Sequence, residues 1–113
     1  MSLVYARTAP TDLRKGFNGL YALVRREHGR EPAVGERFLF TNRSRSTCKV
    51  LECDGTGIRI LSKRLSGRRF AALWMRERDG GVELTAVELD LYLAGCKEVG
   101  YMELVGPRAA SNS

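Results

Sequence analysis

The chain has 113 residues, 43% of them hydrophobic and 28% charged, a size and composition that suit one globular domain able to bury a core without disulfides or metal. Nineteen basic residues against 13 acidic ones leave a net charge of +6. No run approaches the roughly 18 apolar residues of a membrane helix. The start lacks a signal-peptide pattern, and three cysteines without a Cys-x-x-Cys pair (Cys48, Cys53, Cys96) argue against a disulfide framework or zinc site, so reduced thiols in the cytoplasm are expected.

Leu3 to Arg7 reads as a short strand. Pro10 ends it, and Thr11 is the expected N-cap of a helix with Asp12 in its first turn. Leu13, Phe17, Leu20, Tyr21 and Val24 fall on one side of that helix, which runs to about His28 with Gly29 as C-cap. Gly16 lies beside the apolar stripe, and close approach to a sheet is the expected reason for it. Three strands follow: Arg37–Thr41, Thr47–Cys53 and Ile58–Arg64. A basic turn, Asn42 to Ser46, joins the first two. Asp54-Gly55-Thr56-Gly57 joins the next two, an Asp-Gly hairpin signal. Ser66 to Arg69 forms a second basic turn, Phe70 to Met75 is apolar enough for a further strand, and Asp79-Gly80-Gly81 reads as a turn. Thr85 and Glu88 match a capping box with Leu84 and Leu89 as its staple. Leu89, Tyr92 and Leu93 make that helix's apolar face and Gly95 stops it. Val99 to Val105 reads as a last strand. The expected fold is α+β: an antiparallel β-meander packed against an N-terminal amphipathic helix, with a short capped C-terminal helix. Residues 1–105 form the single domain and 106–113 a flexible tail.

The charge is segregated. Thr41 to Phe70 holds eight basic residues (Arg43, Arg45, Lys49, Arg59, Lys63, Arg64, Arg68 and Arg69) against Glu52 and Asp54, so this third of the chain carries the whole excess. Two hairpin crossings separate Arg43-Ser44-Arg45 from Arg68-Arg69, which places both turns at one end of the meander. Arginine makes bidentate contacts to phosphate oxygens, and such contacts position a protein on a nucleic-acid backbone while carrying little sequence information. These eight residues are the expected nucleic-acid-binding set. Trp74 and Tyr92 are better placed as core than as base-stacking residues. Arg14, Asn18 and Arg25 share an exposed face of the first helix, but no helix-turn-helix follows.

Signals for catalysis are thin. The single histidine, His28, sits at a helix end, and neither a metal-ligand spacing nor a phosphate-cradling Gly-x-x-x-x-Gly-Lys loop occurs. Asp54-Gly55-Thr56-Gly57 lacks the hydroxyl residue that follows the aspartate in an aspartic-protease loop. A metal-binding triad of Asp12, Asp54 and Asp90 competes with simpler uses of each as helix start, turn and helix surface. No enzyme activity, cofactor or metal is expected.

Pro10-Thr11-Asp12-Leu13-Arg14-Lys15-Gly16-Phe17-Asn18-Gly19-Leu20 closely resembles the Pro-Thr-Asp-Met-Arg-Lys-Gly-Phe-Asp-Gly-Leu segment of the TnpB-type accessory proteins of IS66 insertion sequences, which are distinct from the RNA-guided nucleases sharing that label. Phe38-Leu39-Phe40-Thr41-Asn42-Arg43 is similar to the family's Phe-Val-Phe-x-Asn-Arg. Lys49-Val50-Leu51 with Asp54-Gly55-Thr56-Gly57, then Lys63-Arg64-Leu65 and Gly67-Arg68-Arg69-Phe70, resemble its later motifs in order. The chain departs where Cys53 replaces a frequent aromatic and where Ala71-Ala72-Leu73 stands for a frequent Trp-Pro. The resemblance covers about Val4 to Gly95. It implies a non-catalytic accessory factor in DNA transposition, with DNA and a transposase or another element-encoded protein as partners. A protein-docking adaptor that never touches DNA is the alternative.

Overall fold

The computed structural model describes residues 4–73 and 81–95. Its elements in chain order are β1 (Val4–Arg7), a 3-10 turn (Leu13–Lys15), α1 (Gly16–His28), β2 (Arg37–Thr41), β3 (Thr47–Cys53), β4 (Ile58–Arg64), β5 (Gly81–Leu84) and α2 (Ala86–Leu93). The fold is α+β, as expected. β2, β3 and β4 form the antiparallel meander, with Phe38 opposite Leu51 and Leu51 opposite Ile60.

The meander is extended into a five-stranded mixed sheet of order β4-β3-β2-β1-β5. β1 lies parallel to β2, with Tyr5 beside Phe38, and α1 is the crossover that parallel pairing requires. β5 runs antiparallel to β1, Val4 opposite Leu84. The sequence pattern predicts a turn at Gly81 and no strand after it, whereas Gly81 opens β5. Val82 and Leu84 alternate with Glu83 as a half-buried strand requires, but four residues are too few for that period to stand out.

Helices cover both faces of the sheet rather than one. Leu20, Leu23 and Val24 of α1, with Leu13, pack on Phe38, Phe40, Leu51 and Cys53. Leu89 and Tyr92 of α2 pack with Phe70 and Leu73 on Val4, Ala6, Leu39, Cys48 and Val50. Double coverage explains why β2 is buried at four successive positions, Phe38 to Thr41. The predicted strand at Phe70 to Met75 is not one over residues 70–73, where Phe70 and Leu73 are buried in non-strand backbone. Trp74, Cys96 and the strand expected at Val99 to Val105 lie outside the described residues.

The start of α1 corrects three expectations. Asp12, not Thr11, is the cap: its carboxylate accepts from the Arg14 N–H at 3.0 Å and closes the 3-10 turn. The Thr11 hydroxyl donates to the Ala9 carbonyl and accepts from Arg7 instead. Phe17, placed in the buried stripe by its spacing, is 53% exposed in the first turn of α1, and Leu23 takes part in the core in its stead. Gly16 is required by its backbone, not by a close neighbour. A Cβ there would meet nothing within 4 Å, but φ is 74° and ψ −168°, a region essentially reserved for glycine. Gly16→Ala is therefore expected to destabilise the fold by about 1–3 kcal/mol in chemical denaturation, with no loss of packing. Farther on, Gly29 caps α1 in the left-handed conformation, and Thr85 and Glu88 form both hydrogen bonds of the capping box.

Cys48 is fully buried between β2 and β4, and burial pushes its thiol up to about 12. Almost no thiolate exists at neutral pH. Peptide-mapped thiol labelling should find Cys48 unmodified in the native protein and modified only on unfolding.

Candidate nucleic-acid interface

The two basic turns meet at one end of the sheet. Asn42 builds the first. Its side-chain oxygen accepts from the backbone N–H groups of Ser46 at 3.0 Å and Thr47 at 3.2 Å, and its amide donates to the Ser46 hydroxyl at 3.2 Å. Arg45 completes the reversal with φ +62°, an uncommon conformation for a non-glycine residue. Arg43 and Ser44 are left at the exposed tip. The second turn docks on the first: the Leu65 N–H donates to Ser46 O at 3.3 Å, the Phe70 N–H to Arg45 O at 2.8 Å, and the Arg45 guanidinium to Phe70 O at 3.3 Å.

A third segment closes the other side. The Thr11 N–H donates to Thr41 O at 2.9 Å, and the Lys49 ammonium donates to Leu13 O at 2.9 Å. Between this segment and the first turn lies an open cleft of about 820 Å³, bordered by Arg14, Arg43, Ser44, Thr47 and Lys49 and by one carboxylate, Asp12. Arg14 grips that carboxylate with two hydrogen bonds of 2.9 Å, which hold the Asp12 acid down at about 2. The segment that carries the specific family motif, around Thr11, and the turn built by Asn42 are thus neighbours in space.

Arg43, Arg45, Lys63, Arg64, Arg68 and Arg69 belong to the turns or the end of β4 beside them, and Lys49 reaches the same end through its contact with Leu13. Arg43, Lys63 and Arg64 are exposed, and their side chains make no ion pair or hydrogen bond to the described residues. Cys48 is opposite Lys63 and Thr47 opposite Arg64, so these two cations project from opposite faces of the sheet. Arg45, Lys49 and Arg68 also have structural duties, the last donating to Gly95 O at 3.4 Å. Arg59 does not join them. It pairs with Glu52 at 3.2 Å, five positions from Arg64 along β4, or roughly 16 Å at the rise of a strand.

Sequence reasoning left Arg14 out of the set. The signal was available: Arg14 lies two residues after the capping Asp12 in the motif that resembles the family most closely. The carboxylates do not converge. Asp12 is beside the basic turns, Asp54 caps the hairpin at the far end of β3 by accepting from Thr56 and Gly57, and Asp90 is on α2. No group of three His, Cys, Asp or Glu residues among the described residues suits a metal ion. Tyr92 is fully buried, stacked on Phe70 with centroids 5.3 Å apart, so it offers no surface to a base. No helix among the described residues is long and apolar enough to cross a membrane.

A family model described as IS66 Orf2 like protein matches residues 2–101. Among similar proteins is y4hO of Sinorhizobium fredii, 34% identical over 92 residues that cover 81% of this chain and 78% of the relative. Another, y4jC of the same organism, is 29% identical over 92 residues, covering 81% and 77%. Both are described as uncharacterized. No solved structure matches the chain.

Proposed function

The chain belongs to the IS66 Orf2-like family, whose role is accessory to insertion-sequence transposition, and from that premise we propose that it binds nucleic acid as a non-catalytic factor through the basic end of its sheet. The observation that carries this reading is the convergence of two turns and a cleft, which sets Arg43, Arg64, Arg68, Arg69 and Arg14 at one end of the molecule while Arg59 is left behind and neutralised.

Such a surface favours phosphate. Its arginines are carried by turns, a strand end and the 3-10 turn before α1, positions suited to backbone contacts, which place a protein on a duplex without reading bases. Affinity then comes from counterion release, and sequence preference is weak. The partner that suits this role is the DNA of the mobile element, with the transposase supplying the chemistry.

Fluorescence anisotropy with a duplex from the element end, and with a scrambled duplex, tests the reading. Expected are similar affinities for both and a linear fall of log affinity with log salt. No binding at low salt overturns it. A second reading, an adaptor that docks on the transposase alone, is favoured if co-purification persists after nuclease treatment and the duplex is not bound.

A further inference from the structure

β4 is the last strand on its side of the sheet. It pairs with β3 over all seven residues, and no strand among the described residues occupies its other edge. α1 reaches only its first half, where Ile58 and Ile60 pack against the helix-side core. From Leu61 to Arg64 every residue is exposed, with Leu61 at 55%. One face of the strand therefore presents Arg59, Leu61 and Lys63 at alternate positions: a cation, an apolar side chain and a second cation. The strand itself contains no acidic residue.

An open edge carries unpaired N–H and C=O groups that accept a further strand. We propose that this edge is a docking site for an extended acidic peptide segment of a partner protein, added antiparallel as a sixth strand. A second copy of the chain is the poorer occupant. Two-fold pairing of β4 with itself is antiparallel, and centred on Leu61 it sets Arg59 opposite Lys63 twice, an opposition of like charges. Nucleic acid neutralises the cations, and its phosphate oxygens accept from N–H groups but donate nothing to the strand's C=O groups, whereas an added strand pairs with both. The fitting segment has Asp or Glu opposite Arg59 and Lys63 and an apolar residue between them opposite Leu61, an acidic-x-apolar-x-acidic pattern. Arg59, which lies outside the basic end, has a use here: its side chain stays two-thirds exposed while it contacts Glu52, which leaves it accessible to a carboxylate on the added strand.

The test uses the full chain, a labelled peptide Thr-Glu-Thr-Leu-Thr-Glu-Thr and its Glu→Lys counterpart, with amide hydrogen exchange followed residue by residue. The acidic peptide should bind and slow exchange of the outward-facing β4 amides about tenfold or more, while the lysine peptide does neither. The double variant R59E/K63E should exchange these preferences, losing the acidic peptide and gaining the basic one. Three results overturn the proposal: β4 amides fully protected in the free monomer, which means that the chain covers its own edge; concentration-dependent protection without peptide, which means self-pairing; or peptide binding indifferent to the charge reversal. Duplex binding is measured separately on the same variant, so failure here leaves the nucleic-acid reading untouched.

Discussion

Replacing Arg43, Arg64 and Arg69 together by alanine should weaken duplex binding on the order of a hundredfold at low salt and flatten the salt dependence by about two to three units of slope. Each exposed arginine that neutralises a phosphate releases roughly one counterion, and the losses add when the contacts are separate. Arg59→Ala is the internal control. It removes the same charge from the chain, but from a site roughly 16 Å along the strand and already paired with Glu52, so it should move affinity by less than about threefold. Both proteins should melt within about 3 °C of the parent, because the replaced side chains are exposed. Equal losses in the triple variant and in Arg59→Ala would mean that net charge, not the convergence of the turns, governs binding.

The largest stability effect is expected at Tyr92. The ring is completely buried and stacked on Phe70, and its hydroxyl donates to Ala71 O at 2.8 Å while meeting the Thr41 hydroxyl at 3.0 Å. Burial raises the phenol's pKa above the ordinary value. Tyr92→Phe keeps the stack and strips the hydrogen bonds, at about 1–3 kcal/mol. Tyr92→Ala removes both and leaves a cavity, at about 3–5 kcal/mol. Denaturant titration of the two variants separates the polar from the packing contribution. The network also ties α2 to the second basic turn, because Phe70 and Ala71 directly follow Arg69. Loosening it should increase hydrogen exchange in residues 65–71 before the sheet itself opens.

Most of the local structure was legible in the residues. Alternation and the Asp-Gly pair located three strands to the residue, Gly29 and the Thr85–Glu88 box located helix ends, and these signals work because they are satisfied within a few residues of themselves. At Thr11 and Asp12 two competent caps stand side by side. Thr11 is drawn away by the Ala9 carbonyl and by Arg7 at the end of β1. Phe17 matched the helical period, but the glycine-only conformation at Gly16 separates the 3-10 turn from α1, and a period cannot register such a break.

The positive charge divided in the same way. Its confinement to Thr41 to Phe70 is a count along the chain, and the common end of the two turns follows from the two hairpin crossings between them. Which cations act together does not follow from either. Arg59 left the set through Glu52, its cross-strand partner seven residues away in the β3–β4 hairpin, whereas Arg14 joined the cleft because of pairings between segments far apart in sequence, Thr11 with Thr41 and Leu13 with Lys49. The insertion of β1 between β2 and β5, and with it the covering of both sheet faces, belongs to the same class. Capping, turns and alternation are settled by neighbours along the chain, whereas strand order and side-chain convergence are settled by which buried surfaces fit together once the chain has closed on itself.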